Sequence, residues 1–346
     1  MSRAAGEPTG GLSCLPVEGI GEVSEGDDLG ALLAGAVNLR DGDIVVVTSK
    51  VVSKAEGQVR AGSREESLAG ETDRIVAWRG RTSIVRTHHG LVLAAAGIDA
   101  SNTDQDTVVL LPRDPDGSAR RLREALAART GRNVAVLVTD TAGRAWRVGQ
   151  SDIAIGAAGL QVLHDYAGRT DPHGNELSVT APAVADELAA AADLVKRKLD
   201  RRAAAVVRGL ADLVLGPCDH GPGAVALVRD QSQDMFGLGA REAVISALHL
   251  DDPCVFGAPC TALELVVHLS ALAGDATTVQ RDRSGPHADV TARLVGSERE
   301  RGAADALMRA AAFALGWRVA ADEPDDQSGA ATDREPSLLR FRAVTP

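Results

Sequence analysis

The densest group of residues capable of chemistry begins where the apolar run 134–139 ends. Asp140 and Thr141 follow this run directly and place a carboxylate beside a hydroxyl, and Arg144 and Arg147 come shortly after them. Carboxylate and hydroxyl oxygens are hard ligands that suit Mg²⁺ or Mn²⁺, and arginine holds phosphate through paired hydrogen bonds. Ligands bind at the carboxyl ends of strands in α/β sheets, so this cluster predicts a cation that holds a phosphorylated substrate.

A second strand end carries hydroxyl and ammonium groups. The segment 43–48 has the sequence of a buried strand entered by a turn, and Ser49, Lys50 and Lys54 follow it. Such groups can hold nucleotide phosphates, although the chain lacks the GxxxxGK[ST] sequence of a P-loop. Taken alone, these lysines are more often solvated surface residues than ligands.

Asp99 follows the apolar run 94–97 and offers a further carboxylate. Taken alone, the sequence from Asp99 to Asn102 is that of an ordinary turn. If the fold brings Asp99 close to Asp140, the two carboxylates form a cation site. If the fold keeps them apart, the interpretation fails.

The elements that must position these residues are predicted from apolar periodicity and turn residues. Besides the two strands above, we expect a hairpin over 82–97, strands at 107–111, 203–209 and 337–344, and helices at 29–37, 118–129, 183–199, 260–273 and 299–315. Ser118 is the expected cap of its helix. Asp186 and Glu187 are best explained as acids in the first turn of theirs. The acidic segment 322–336 is expected to be disordered.

The composition is that of a globular protein, with 45% hydrophobic and 25% charged residues. The net charge of −11 argues against nucleic acid as a partner. No apolar run approaches the roughly 20 residues that span a bilayer, and the first residues lack the apolar core of a signal peptide. We therefore expect a cytoplasmic protein with no membrane partner. The four cysteines lack zinc spacing and do not indicate a disulfide framework.

Taken together in chain order, these motifs resemble the coenzyme F-420-0:L-glutamate ligase family, whose members add glutamate to a deazaflavin cofactor. The matching stretches are 42–57, 95–102, 139–147, 149–159, 171–177 and 185–194. Any one of them is weak evidence, but the ordered set is specific. The resemblance implies an α+β fold with a mixed-sheet γ-glutamyl ligase core over 1–245. Residues 246–346 would form a small C-terminal α/β domain of unknown role.

The resemblance also implies substrates and site residues. It implies GTP, F-420-0 and L-glutamate as substrates and Mg²⁺ or Mn²⁺ as the metal, with K⁺ allowed as an additional cation. It also implies a homodimer. The implied nucleotide site comprises Ile20, Gly21, Glu22, Val23, Ser49, Lys54 and Asn102. The implied metal ligands are Asp99, Asp140 and Thr141. The catalytic residues that we expect on this basis are Lys54, Arg144 and Arg147.

The implied reaction proceeds by acyl activation. A carboxylate of the cofactor precursor attacks the γ-phosphorus of GTP, and the glutamate amine then displaces phosphate from the acyl phosphate. Further rounds would add γ-linked glutamates. Two alternatives stay open from the residues: another nucleotide-dependent carboxylate–amine ligase, and a non-catalytic deazaflavin-binding protein.

Overall fold

The computed structural model describes residues 11–100, 106–250, 252–273, 277–282, 288–320 and 337–344. The chain divides into two compact units, Met1–Val228 and Arg229–Pro346. The boundary that we expected after residue 245 falls inside a helix of the second unit, Ala240–His249. Helices combined with mixed sheets confirm the α+β class. No helix among the described residues is long and apolar enough to cross a bilayer.

The helices of the first unit are α1 (Leu29–Ala36), α2 (Ser49–Ala55), α3 (Arg64–Glu71), α4 (Pro115–Thr130) and α5 (Val184–Lys196). Its strands are β1 (Ser13–Val17), β2 (Ile44–Thr48), β3 (Val59–Ala61), β4 (Thr72–Arg79), β5 (Thr82–Thr87), β6 (Val92–Ala94), β7 (Thr107–Val109), β8 (Ala135–Gly143), β9 (Gln150–Ala158), β10 (Arg169–Thr170), β11 (Glu176–Leu177) and β12 (Ala204–Arg208). The second unit contains α6 (Ala240–His249), α7 (Ala262–Ala273), α8 (Glu298–Ala314), β13 (Thr278–Arg281), β14 (Val290–Leu294), β15 (Trp317–Val319) and β16 (Ser337–Ala343).

A five-stranded sheet with the order β1-β12-β2-β8-β9 is the core of the first unit. Strands β2 and β8 are parallel, and the other neighbouring pairs are antiparallel. Val45 and Val47 share a core cluster with residues of α1 and α4, whereas Ile44 and Val46 share another with residues of α5. Because helices cover both faces, β2 is a continuous apolar run rather than an alternating one.

Helix α4 starts earlier than we expected and packs closely on β9. Its N-cap is Asp114, which accepts a hydrogen bond from the Gly117 N–H at 2.9 Å, so the prediction of Ser118 as the cap is wrong. The Asp-Pro sequence supplies both the cap and a proline suited to the first helical position. A Cβ at Gly156 would lie 2.3 Å from the Pro115 carbonyl oxygen, so this glycine allows a close approach of backbones.

The run 150–158, which follows the first site cluster and ends in small residues, is strand β9, and the sequence analysis did not predict it. The pairing of β8 with β9 shifts register between Val138 and Thr139. Near this irregularity the Ala154 N–H donates to Asp186 Oδ1 at 2.9 Å. Burial raises the pKa of Asp186 above its usual value. Asp186 therefore joins the start of α5 to β9 and is more than a helix N-terminal acid.

This contact gives a prediction for stability. Asp186→Ala leaves the Ala154 N–H without its acceptor, and we expect it to lower the free energy of unfolding by about 1–3 kcal/mol. Glu187→Ala is the matched control, since Glu187 is an exposed acid in the same helical turn, and its effect should stay within about 0.5 kcal/mol. Urea denaturation at pH 7.5 measures both values. Equal effects of the two substitutions would contradict this role for Asp186.

Three smaller sheets lie in the first unit, β3-β7, β4-β5-β6 and β10-β11. The predicted hairpin over 82–97 is confirmed as β5 and β6, with β4 as an unexpected third strand. Between β6 and β7, Asp99 forms an isolated antiparallel bridge with Val109. The smaller sheets therefore fix the backbone of a candidate site residue.

The second unit is an antiparallel sheet of order β13-β14-β16-β15 with helices α6 to α8. Its core contains Met308, Trp317 and Phe341, each with no exposed surface. The Trp317 indole donates to the Cys260 carbonyl oxygen at 3.0 Å. Helices were predicted for α7 and α8 and a strand for β16, whereas α6, β13, β14 and β15 were missed. The segment 322–336, expected to be disordered, lies outside the described residues.

Candidate functional site

The pairing of the parallel strands β2 and β8 brings two predicted site residues together. Thr48, the last residue of β2, pairs with Thr139, so Ser49 at the start of α2 lies beside Asp140. Strand β8 continues beyond this point to Gly143 and is paired there with β9, so Asp140 is a residue within the strand and does not follow it as the sequence predicted. Ser49, which is 4% exposed, donates its hydroxyl hydrogen to Asp140 Oδ1 at 3.0 Å. The first turn of α2 therefore holds a carboxylate of β8.

Asp99 reaches the same region through the next residue of α2. Lys50 Nζ donates to Asp99 Oδ2 at 3.0 Å. Because Ser49 and Lys50 are consecutive, two carboxylates that are distant in sequence are held by one helical turn. The charge of Asp99 also contributes to the raised pKa of Asp140, as expected of neighbouring carboxylates. Asp99 and Asp140 are thus both bound by the first turn of α2 and lie close enough for their charges to interact, and the cation site itself stays a prediction.

The backbone before Asp99 is strained. Ala95 and Ala96 have positive φ angles of 48° and 56°, a region that alanine rarely adopts. Other contacts hold the backbone just after these alanines. Asp99 forms its bridge with Val109, and Arg64 Nε donates to the Ile98 carbonyl oxygen at 3.0 Å. Such strain persists only where surrounding contacts hold it, and it often occurs at functional sites.

Asp140 is electrostatically unusual. Burial raises the pKa of its carboxyl from 3.8 to about 7, and the charges of Asp152 and Asp99 act in the same direction. The hydrogen bonds from Ser49 and from the Thr141 backbone oppose this rise. A buried carboxylate whose charged form is disfavoured by its neighbours would be stabilised by a bound cation, and such groups cluster at functional sites.

The donor set fits a hard cation that retains water. Asp99 and Asp140 offer oxygen atoms only, which suits Mg²⁺ or Mn²⁺. The Thr141 side chain does not join them, because it lies on the opposite face of β8 and donates to Asp152. Within the described ranges no group of three or more His, Cys, Asp or Glu side chains could by itself hold a metal. In proteins Mg²⁺ usually takes its other ligands from water and substrate phosphates.

Lys54 and the Ile20–Val23 stretch also meet. Lys54 Nζ forms an ion pair with Glu22, and this hydrogen bond lowers the pKa of the Glu22 carboxyl. Ile20 and Val23 are buried in the core of the first unit, so they anchor the stretch while Glu22 is exposed. Between them Gly21 has a φ of +72°, which favours glycine. Asn102, also predicted to bind nucleotide, lies outside the described residues.

Arg144 and Arg147 occupy the exposed turn between β8 and β9. Arg144 Nη2 donates to the Val148 carbonyl oxygen at 3.1 Å. In the part of the chain that the structure describes, no hydrogen bond or ion pair joins either arginine to Asp99 or Asp140. Their predicted role in gripping phosphate stays a prediction.

A buried network behind Thr141 was missed from the sequence. Thr141 Oγ1 donates to Asp152 Oδ1 at 2.9 Å, and Thr139 Oγ1 donates to Asp152 Oδ2 at 3.1 Å. Lys196 Nζ donates to Asp152 Oδ2 at 2.8 Å and to Thr139 Oγ1 at 3.0 Å. Lys196 lies in the basic last turn of α5, where helix polarity alone explains a lysine. One feature of the composition could have drawn attention to Lys196. Only four of the 37 basic residues in the sequence are lysines, and three of these, Lys50, Lys54 and Lys196, lie in this region of the first unit.

Comparison with known proteins assigns the family. The family model for F420-0:Gamma-glutamyl ligase matches residues 19–68 and 64–209. The chain belongs to this family. Similar curated relatives, each named coenzyme F420:L-glutamate ligase, come from Methanothermobacter thermautotrophicus and Archaeoglobus fulgidus. The first is 38% identical over 251 residues, which cover 65% of this chain and 99% of the relative. The second is 41% identical over 221 residues, which cover 58% and 88%.

A third relative of the same name, from Methanopyrus kandleri, is 39% identical over 254 residues, or 66% of this chain and 99% of the relative. The residues that the γ-glutamyl ligase family model matches lie wholly within the first unit. The family assignment therefore rests on the unit that contains Asp99, Asp140 and Lys54.

Proposed function

We propose that this γ-glutamyl ligase family member uses GTP and Mg²⁺ or Mn²⁺ to join L-glutamate to the deazaflavin precursor F-420-0, and that K⁺ can serve as an additional cation. The observation that carries this proposal is the convergence of Asp99 and Asp140 on one turn of α2. Family membership and the names of the relatives support the choice of substrates.

Residues of α2 hold the phosphates in this proposal. Ser49, Lys50 and Lys54 occupy three positions of a single short helix, and both lysines already pair with carboxylates. A nucleotide phosphate can compete for these ammonium groups because it carries more negative charge and more acceptor oxygens than a carboxylate. Lys54 then offsets the charge that develops on the transferring phosphoryl group, which is a main source of catalysis in phosphoryl transfer.

Asp99 and Asp140 would hold the divalent cation, whereas the Thr141 hydroxyl donates to Asp152 on the other face of β8. Such a cation neutralises phosphate charge and orients the leaving group when it is bound. The carboxylate of F-420-0 attacks the γ-phosphorus, GDP leaves, and the glutamate amine displaces phosphate from the resulting acyl phosphate. Repetition on the glutamate side chain would add further γ-linked residues.

A homodimer and a role for the hairpin between β8 and β9 are further parts of the proposal. Trp146 and Val148 in this hairpin are 88% and 99% exposed, which is unusual for large apolar side chains. We propose that a second copy covers them and that Arg144 and Arg147 contact substrate phosphate in that assembly.

Product mass spectrometry tests the proposed reaction. The full chain is incubated with F-420-0, L-glutamate, Mn²⁺ and either GTP or ATP, and the product is analysed for added glutamate residues. We expect a mass increase of one or more glutamate units with GTP, and a smaller yield with ATP. Hydrolysis of GTP without any mass increase would favour another carboxylate as the substrate. Binding of F-420-0 with neither hydrolysis nor ligation would favour a non-catalytic binding protein.

A further inference from the structure

The turn between α5 and β12 carries an arginine to which the proposed reaction assigns no role. We propose that Arg201 binds the nucleotide phosphates beside Lys54, as a further phosphate-binding residue of the ligase. The inference rests on the proposed function, because that function places GTP on α2.

The pairing of the strands places this turn beside α2. Strand β12 is antiparallel to β2 and begins where β2 ends. The Thr48 N–H donates to the Ala203 carbonyl oxygen at 2.9 Å. Because Ser49 follows Thr48 directly, the turn that leads into Ala203 lies at the same edge of the sheet as the first turn of α2.

The charge of Arg201 reaches the carboxylate that pairs with Lys54. The hydrogen bond from Lys54 is the main cause of the lowered pKa of Glu22, and the charges of Lys54, Arg201 and Lys50 add to it. Arg201 therefore belongs to the group of positive charges around the exposed Glu22 side chain. An anion that binds at Lys54 also lies within the field of Arg201.

The Arg201 guanidinium is available to a ligand. Its side chain is exposed and forms no hydrogen bond or ion pair with any residue that the structure describes. The neighbouring Arg202 differs, since it donates to Glu18 at 2.9 Å and to Asp200 at 3.1 Å. Arg202 thus anchors the turn, and Arg201 keeps the paired N–H donors that suit a phosphate.

The backbone of Arg201 is strained. Its φ angle is +56°, which side chains other than glycine adopt at a cost. Glycine would relieve this strain, so stability is a weak reason for an arginine at this position. Residues held in such conformations cluster at sites where ligands bind.

The test measures nucleotide binding without turnover. The full chain is titrated by calorimetry with Mg²⁺ and guanosine 5′-(β,γ-imido)triphosphate, a GTP analogue that is not hydrolysed. Arg201→Met should weaken binding by roughly 10- to 100-fold, the usual loss of a charge-assisted hydrogen bond. Arg201→Lys should lose less, because it keeps the charge but not the forked donors.

Arg201→Gly separates binding from a structural role. This variant should bind the analogue as weakly as Arg201→Met, whereas its Tm should be no lower than that of the wild type, because glycine adopts this φ angle readily. A large fall in Tm would show that Arg201 serves the fold and would overturn the inference.

Arg197→Met is the matched control. Arg197 is also exposed, lies in the same turn and has a φ angle of +54°, but its charge is not among those that lower the pKa of Glu22. Affinity for the analogue should stay within about twofold of the wild type, since an exposed residue away from the phosphates contributes little.

Each outcome decides a point. Unchanged affinity in Arg201→Met, or an equal loss in Arg197→Met, would overturn the inference and leave the proposed function standing. Unchanged affinity together with a raised KM for L-glutamate or F-420-0 would also overturn it, and would assign Arg201 to a substrate carboxylate. Failure of the wild type to bind the analogue would instead overturn the proposed use of GTP along with it.

Discussion

Asp140→Asn should abolish ligation while making the metal-free protein more stable. Loss of a charged cation ligand removes several kcal/mol of transition-state stabilisation, so kcat/KM should fall by roughly 10³-fold or more. The amide is nearly the same size as the carboxyl and can still accept the hydrogen bond from Ser49. Steady-state assay of GDP release, with F-420-0 and L-glutamate present, measures the loss.

The gain in stability follows from the sign of the pKa change. The pKa of Asp140 is raised from 3.8 to about 7, so the folded state binds the proton more tightly than the unfolded chain. The stability that this carboxyl supplies is complete below about pH 4 and is lost as the pH rises to about 7. At pH 8 the charged carboxylate therefore costs up to about 4 kcal/mol, and the neutral amide avoids that cost.

Thermal unfolding in EDTA between pH 5.5 and 8 measures this effect. The Tm of Asp140→Asn should exceed that of the wild type at pH 8, and the difference should shrink toward pH 5.5. Asp41→Asn is the control. Hydrogen bonds from the Asn133 backbone and from Arg132 lower the pKa of Asp41, so its contribution is constant over this range. A wild type that is the more stable protein at pH 8 would contradict the account of Asp140.

Lys54→Met should reduce kcat/KM for GTP by roughly 10²- to 10³-fold, the usual loss when a group that stabilises developing charge is removed. The methionine keeps most of the aliphatic stem, and the lost ion-pair partner, Glu22, is 76% exposed on its side chain. The free energy of unfolding should therefore change by less than about 1 kcal/mol. Initial rates at varied GTP concentration separate binding from turnover.

Lys198→Met is the matched control for Lys54→Met. Lys198 is exposed just after α5, and its substitution removes the same charge from the same protein. We expect kcat/KM to stay within about twofold of the wild type, because a surface lysine away from the phosphates contributes little. If Lys198→Met reduced kcat/KM as much as Lys54→Met, the net charge of the protein, and not the position of the Lys54 ammonium, would explain the loss of activity with GTP.

Local sequence predicted the parts of the fold that depend on local physics. The apolar runs of β2 and β8 are buried on both faces, so their strand assignment and the polar residues that follow these runs were visible in the sequence. The continuation of β8 through Asp140 to Gly143 was not visible, because it depends on pairing with β9. Strand β9 could not be predicted from local sequence, because its small residues gain their extended structure by pairing with β8 and packing under α4. The start of α4 was missed because Ser118 was preferred to the Asp114-Pro115 pair.

The candidate site was predictable in residue type but not in arrangement. Ser49 follows β2 and Asp140 follows the apolar run of β8, so their meeting depends on the parallel pairing of these two strands. Asp99 is placed by a bridge to Val109 and by Lys50, both of which are tertiary contacts. The hydrogen bonds that Asp152 forms with Thr139 and Lys196 depend on the pairing of β8 with β9 and on the packing of α5, and the composition of the chain cannot reveal either.

The central claim is that Asp99 and Asp140 bind one divalent cation beside a nucleotide phosphate. A crystal grown with Mn²⁺ and GDP, with data collected for anomalous scattering, tests it most directly. The account predicts an anomalous peak within coordination distance, about 2.0–2.6 Å, of oxygen atoms from both carboxylates and from a phosphate. A peak elsewhere, or one bound to neither carboxylate while GDP is present, would contradict the account.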